Sequence, residues 1–234
     1  MAVKSQPYGT VRNMSAPASA LPILAEDAPA TAGLPRSRDR DARRKAILEI
    51  AREAFMREGY AAASMSAIAT RLGGSKGTLY NYFPSKEELF AAVVSDECEA
   101  EFLAMVDFQP EQSLEQSLRM FGGRFLRFAL SETGLGFHRL LSAEAGRFPE
   151  LGRAFYAAGP ARNLQRISTF LQARMDAGEM RGSDPEQAGA FLIGLLKSNL
   201  HHRRVWNVLD DVDEASLDAH VDAAVHVFLN GYAA

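Results

Sequence analysis

The sequence predicts an all-α protein, with a small helical head followed by a larger helical body. Three observations carry that reading. From Ile47 to Leu229 the apolar residues recur at three- and four-residue spacing, and no run alternates at the period of two that a strand requires. Two short helix-forming stretches meet at Gly73-Gly74, the form of a helix-turn-helix. Breaks such as Gly159-Pro160 and Asp184-Pro185 punctuate the remaining segments in the order of a stop followed by a capped start.

The elements follow in order. Residues 1–35 are rich in Ala, Pro and Ser and carry no helical stripe, so a disordered tail is expected there, with no apolar stretch long enough for a signal peptide. Residues 36–84 form the predicted head. Arg36, Arg38, Arg40, Arg43, Arg44 and Lys45 cluster ahead of its first helix, a basic arm on a chain whose net charge is −3. Ile47, Ile50, Ala51, Ala54 and Phe55 then make an amphipathic stripe on a helix from Arg43 that Gly59 ends. Ser64 can cap a second helix with Ile68, Ala69 and Leu72 on its inner face. Ser75 can cap a third, which buries Leu79 and Phe83 and stops at Pro84. At about 100° per residue, Gly77, Thr78, Tyr80 and Asn81 point away from that core. Tyrosines on a solvated face are unusual, where Glu, Lys and Gln are the rule. Ser85 caps the next helix.

Three helices in this order, with the motifs AILEIAREAFMREGY, SMSAIATRLG and SKGTLYNYFPSKEELF, resemble the N-terminal domain of the TetR (TetR/AcrR) family of bacterial repressors over residues 43–92. The resemblance implies a DNA-binding regulator. It brings Gly77 and Thr78 to base edges in the major groove and sets Ser64, Ser75, Lys76, Tyr80, Asn81, Tyr82 and Lys86 along the same DNA-facing surface. Ser75, Tyr80, Tyr82 and Lys86 hold phosphates there; phenol and ammonium groups suit phosphate oxygens, and glycine permits close approach. Two positions depart from the family pattern: Ala63 replaces a Thr that contacts phosphate, and Gly74 replaces a small apolar residue that staples the turn.

Residues 85–234 form the predicted body. Helices are expected at 85–107, ended by Pro110, and at 111–130, 135–147, 150–177 with a break at Gly159-Pro160, 185–208 and 214–231. Phe121, Phe125, Phe128, Phe137, Phe148, Phe155 and Tyr156 give the middle helices an aromatic density fitting either a packed core or a small-molecule pocket. Gly122-Gly123 would leave open space beside Phe121, and Arg139 and Glu144 are its candidate polar groups. The segment FHRLLSAEAGRFPELGRAFYAAGPARNLQRI also resembles the C-terminal domain of the AefR-like branch of the family.

The last two helices carry broad apolar stripes: Phe191, Leu192, Leu195, Leu196 and Asn199 on one, Val221, Ala224, Val225 and Phe228 on the other. Such stripes can close the protein's own core. The resemblance implies instead that two copies join them as a four-helix dimer interface.

Catalytic readings find no support. There is no Gly-x-Ser-x-Gly elbow, phosphate-cradling glycine loop or His-Glu-x-x-His motif. His201-His202 point about 100° apart on a helix and cannot clamp one metal, and His220 and His226 are also wrongly spaced. No metal or cofactor is expected. The single cysteine, Cys98, precludes an intrachain disulfide and suits a reducing cytoplasm. The function read from the chain is a cytoplasmic regulator that binds a palindromic operator as a homodimer and is released by a small apolar effector. A helical protein-binding adaptor is the alternative, and it leaves the Tyr80–Lys86 constellation without a purpose.

Overall fold

The computed structural model describes residues 35–105, 108 and 112–232. Ten helices are described: α1 (Pro35–Ala62), α2 (Met65–Arg71), α3 (Lys76–Tyr82), α4 (Lys86–Met105), α5 (Leu114–Leu130), α6 (Glu132–Glu144), α7 (Pro149–Ala158), α8 (Pro160–Asp176), α9 (Pro185–Val205) and α10 (Glu214–Tyr232). No strand occurs among the described residues, as the spacing predicts. Except for Pro35, the expected tail lies outside the described residues, as do the expected ends at Asp107, Pro110 and Glu111.

The head is built on α1, whose Ile47, Leu48, Ala51, Ala54 and Phe55 are buried against Ile68, Leu79 and Phe83 of the helix-turn-helix and against α4. The helix starts at Pro35, two turns before the expected Arg43, so the basic cluster is helical rather than a free arm. Near its other end, Gly59 adopts φ 82°, ψ 163°, a region that essentially only glycine occupies. Tyr60 then turns inward and is 1% exposed. Its ring packs with Phe55, Phe90 and Phe148 at centroid distances of 5.7, 5.6 and 5.5 Å. Phe55 and Phe90 meet edge to face at 5.4 Å.

In the body, α4 packs on α7 and α5, α5 on α9 and α10, and α8 on α9. Side-chain caps set the starts of α5, α6 and α9, whereas α7 and α8 open on a proline without one. Ser113 and Gln116 form a reciprocal capping box at α5. Ser131 caps α6, which therefore starts at Glu132 rather than Leu135 and ends at Glu144 rather than Arg147. Asp184 accepts from the Glu186 and Gln187 amides at α9. Helix α9 breaks at Ser198 (φ 22°, ψ −135°), where His220 Nε2 of α10 lies 2.9 Å from the Leu196 carbonyl, and it ends at Val205 rather than 208.

The structure corrects two expectations. Gly122 opens no space: a Cβ there would stand 2.8 Å from Leu196 and 2.9 Å from Val221, so the glycine lets α5 close directly on α9 and α10. At Gly123 a Cβ would meet the Arg127 guanidinium, and Arg127 ties α5 to Glu214 and Asp218 of α10. In addition, most of the terminal apolar stripes face inward. Leu192, Leu196, Val221, Ala224, Val225 and Phe228 are buried within the single chain.

Two glycines with positive φ separate backbone strain from steric displacement. At Gly73 (φ 69°) an added Cβ would have no neighbour within 4 Å, so Gly73→Ala should cost about 1–2 kcal/mol from backbone conformation alone. At Gly59 a Cβ would stand 2.7 Å from Glu144 Oε1 and push that carboxylate off the amides it serves, adding roughly 1–3 kcal/mol to the strain of Gly59→Ala. Urea unfolding of the two variants should therefore rank Gly59→Ala clearly below Gly73→Ala; equal midpoints would show that Glu144 contributes nothing there.

Candidate nucleic-acid interface and regulatory cavity

The outer surface of the head presents most of the residues singled out in the sequence. Ser64 accepts from the Ala67 amide at 3.1 Å and starts α2. Ser75 accepts from the Thr78 amide at 3.1 Å and shares a 2.9 Å hydrogen bond with the Thr78 hydroxyl. Ser64, Ser75, Lys76, Gly77, Tyr80 and Asn81 are exposed, and Thr78 is half-buried. A Cβ at Gly77 would touch only Ser75 Oγ, at 3.7 Å. Packing within the protein thus does not require a glycine on this exposed turn of α3. Lys76 Nζ lies 5.7 Å from the Tyr80 ring centroid. A shallow polar groove runs between α2, α3 and the start of α4, lined by Ser64, Ser66, Lys76, Tyr80, Ser85 and Lys86.

Two residues differ from their expected placement. Tyr82 is half-buried, and the Arg40 guanidinium sits 5.8 Å from its ring centroid. Arg44 sits likewise 5.5 Å from Phe83. Arg40 and Arg44 of α1 therefore lie against α3 and extend its positive surface. The apolar stripe of α1 begins only at Ile47 and gives no sign of this placement. Lys86 is not free for a phosphate in this state. Its ammonium donates to the Ala63 carbonyl at 2.8 Å and the Ala61 carbonyl at 3.4 Å, and sits 4.3 Å from the Tyr60 ring centroid. Burial pulls its pKa below the ordinary lysine value. Ala63, the position departing from the family pattern, is itself buried. At Gly74, the other departure, a Cβ would meet Arg43 Nη2 at 3.1 Å.

The body contains a cavity of about 120 Å³ between α4, α5, α6, α7, α8 and α9. Four of the nine expected pocket residues line it: Phe125, Phe128, Phe137 and Phe155. The other five are elsewhere. Phe121 is fully buried core, Phe148 packs on Tyr60, and Tyr156 is 55% exposed on an outer groove. Arg139 donates to the Arg204 and Val205 carbonyls at 3.0 Å and to Asn207 Oδ1 at 2.6 Å, closing the end of α9. Glu144 leaves the body altogether. Its two carboxylate oxygens accept from the Tyr60 amide at 2.7 Å and the Ala61 amide at 2.8 Å, beside the Gly59 bend.

The aromatic pattern does not disclose the polar lining: Asn163, His138, Lys197, His201 and Cys98. Lys197 interrupts the apolar stripe of α9, and that interruption is the signal the sequence offers. Burial, with Lys197, His138 and His202 nearby, pulls the His201 imidazole down to about 4. Burial raises the Cys98 thiol to about 12 and leaves it inert at neutral pH. Among the described residues no cluster of His, Cys, Asp and Glu could hold a metal, and no helix is long and apolar enough to cross a membrane.

Known proteins share both the head and the body. Residues 47–93 match the family described as bacterial regulatory proteins, tetR family, and residues 116–234 match the AefR-like transcriptional repressor C-terminal domain. The HTH-type transcriptional regulator UidR of Escherichia coli is 34% identical over 183 residues, covering 74% of this chain and 83% of that protein. Among solved structures, the Flavonoid-responsive Regulator FrrA aligns with a TM-score of 0.73 at 31% identity, covering 82% of this chain and 98% of its own. A putative TetR-family transcriptional regulator from Mesorhizobium loti aligns at 0.69 and 30% identity, covering 83% and 98%.

The cavity histidine makes stability depend on pH. An unfolded-chain histidine titrates near 6.5, whereas folded His201 titrates near 4, so below pH 6.5 the unfolded state binds the extra proton. Stability is then complete above pH 6.5 and lost progressively down to about pH 4, by up to roughly 3 kcal/mol. Chemical unfolding at pH 7.5 and pH 5 should show the loss, and His201→Leu should remove the larger part of it. An unchanged slope in that variant would assign the acid sensitivity to other groups.

Proposed function

This chain belongs to the TetR family of bacterial transcriptional regulators, and from that premise we propose that it is a ligand-responsive repressor. As a homodimer it binds a palindromic operator through α3, and it leaves the DNA when a small aromatic effector enters the cavity. The observation that carries this reading is the hydrogen-bonded route from cavity to head. Helix α6 lines the cavity with Phe137 and His138 and ends at Glu144, whose carboxylate holds the α1–α2 turn. Lys86, at the start of α4, holds the same turn through Ala63. A ligand that displaces α6 changes the seat of the helix-turn-helix, and DNA must weaken the ligand by the same factor. The AefR-like repressor match over the body supports repression. The flavonoid response in the name of FrrA supports an aromatic effector.

For DNA, the roles divide by chemistry. Gly77 and Thr78 approach base edges, with Ser64, Ser75, Lys76, Tyr80, Asn81 and Tyr82 along the backbone. Lys86 acts through the turn it holds until DNA offers a phosphate. In gel shifts on the upstream region of its own gene, affinity should fall steeply with salt because phosphate contacts release counterions. Lys76→Ala should weaken specific and random duplexes alike and lower the salt slope by about 1, whereas Thr78→Ala should cost about 1–3 kcal/mol and relax one operator position. Equal loss on both duplexes for Thr78→Ala would remove it from base reading.

For assembly, the partner copy is placed on the outer faces of α9 and α10. There Phe191 and Val227 are 53% and 54% exposed beside Gly194, Leu195 and Ser198, with Asn199 exposed nearby. Phe191→Glu or Val227→Glu should shift sedimenting dimer to monomer, since an uncompensated carboxylate at an apolar seam costs roughly 3–5 kcal/mol. Val225→Glu, in the protomer core, should instead unfold the chain. Dimers of unaltered stability in both surface variants would move the interface elsewhere.

A further inference from the structure

Two polar groups in the cavity wall are left without partners by the protein. Asn163 is 2% exposed, and its Oδ1 has no hydrogen-bond partner. Lys197 has neither a carboxylate nor a hydrogen-bond partner among the described residues; its ammonium stands 6.0 Å from the Phe125 ring centroid. A buried acceptor without a donor is costly, and a half-buried cation on the cavity wall without an anion is a ready partner for one, so the two together define the chemistry of a complementary ligand. The acceptor calls for a neutral N–H or O–H, and the cation calls for a group that is anionic at neutral pH. A phenol, which ionises near pH 10, does not meet the second need, whereas a carboxylic acid, which ionises near pH 4, does. The remaining wall is rings: Phe125, Phe128, Phe137 and Phe155. Size decides the rest. The cavity's roughly 120 Å³ is of the order of the ~150 Å³ of an engineered protein cavity that admits one benzene, which leaves room for a single ring whose substituents reach into the polar side of the wall, and none for a three-ring flavonoid.

We infer that the effector is a monocyclic aromatic carboxylate bearing a ring hydroxyl, with its carboxylate on Lys197 and its hydroxyl donating to Asn163 Oδ1. The inference rests on the reading of this cavity as the effector site, and it specifies the chemistry of that site. His138 and His201, whose rings meet edge to face at 4.8 Å, complete the polar side of the wall. Burial draws the Lys197 pKa below the ordinary lysine value, and a bound carboxylate restores it.

The test is isothermal titration of the full chain with 3-hydroxybenzoate, 4-hydroxybenzoate, benzoate, methyl 4-hydroxybenzoate and the hydroxyflavone apigenin. One hydroxybenzoate should bind at least tenfold more tightly than both benzoate and the methyl ester. Lys197→Met should abolish the preference for acid over ester, and Asn163→Leu the preference for the hydroxylated ring. Circular dichroism melts establish that both variants fold; if either does not, the wild-type ligand series alone decides. Ester and acid binding equally, or an acid preference that survives Lys197→Met, overturns the inference. Ile193→Trp, which fills the cavity, separates this failure from failure of the site. If apigenin alone binds and Ile193→Trp blocks it, the site stands and the ligand class falls. If Ile193→Trp blocks none of the binding observed, or no probe binds, both fall.

Discussion

One carboxylate joins the two halves of this molecule. Glu144 ends α6 and places both oxygens on the amides of Tyr60 and Ala61, at the point where α1 has lost its helical path. Those amides would otherwise be donors without acceptors beside a bend, and hydrogen bonds to a charged acceptor are among the stronger ones available. The bend itself depends on Gly59, because only a residue without a Cβ adopts that backbone and admits the carboxylate. Tyr60 then becomes the hub. Its ring closes the aromatic cluster of both halves, its hydroxyl donates to Glu87 at 3.0 Å, and its face supports Lys86. The orientation of the helix-turn-helix is thus set by contacts whose other ends lie on α4 and α6.

Helix α9 carries three duties on three faces. Leu192 and Leu196 close the core, Ile193, Lys197 and His201 line the cavity, and Phe191, Gly194 and Leu195 border the apolar outer groove. The break at Ser198 follows Lys197 directly, and its freed polar atoms are met by His220 of the neighbouring helix. The cavity lining and the exposed apolar groove are consequently properties of the same backbone.

How much of this is legible in the sequence differs by scale. Helix periodicity, the Ser64, Ser75 and Asp184 caps and the Leu79–Phe83 face are all readable, because each is a local rule satisfied by neighbours in the chain. The roles of Glu144, Arg139 and Phe148 are not. Arg139 finds the Arg204 carbonyl 65 residues away, and Glu144 finds the Tyr60 amide 84 residues away. Composition, for its part, cannot say which aromatic ring lines a space and which fills it. The terminal stripes mislead for a related reason. An apolar face is the same whether it meets its own chain or another, and Gly122 reveals the answer only once Leu196 and Val221 are seen against it. Lys86 shows a third kind of gap. Its chemistry suits a phosphate, but an ammonium also suits a carbonyl, and the nearer acceptor is Ala63.

The close contact at Gly122 also gives the body a mechanical direction. On that side, α5 is seated against α9 and α10 with no slack, and the Arg127 ion pairs to Glu214 and Asp218 brace the joint. A densely packed seam resists compression. On the opposite side, α6 is a short helix held at its far end by Glu144 and along its length by Arg139. Under the proposed function, volume added to the cavity meets a close-packed seam on one side and, on the other, the helix attached to the reading head. In that reading, the absence of a single methyl group at position 122 decides which side of the cavity is left to yield, and that side is the one tied to the helix-turn-helix.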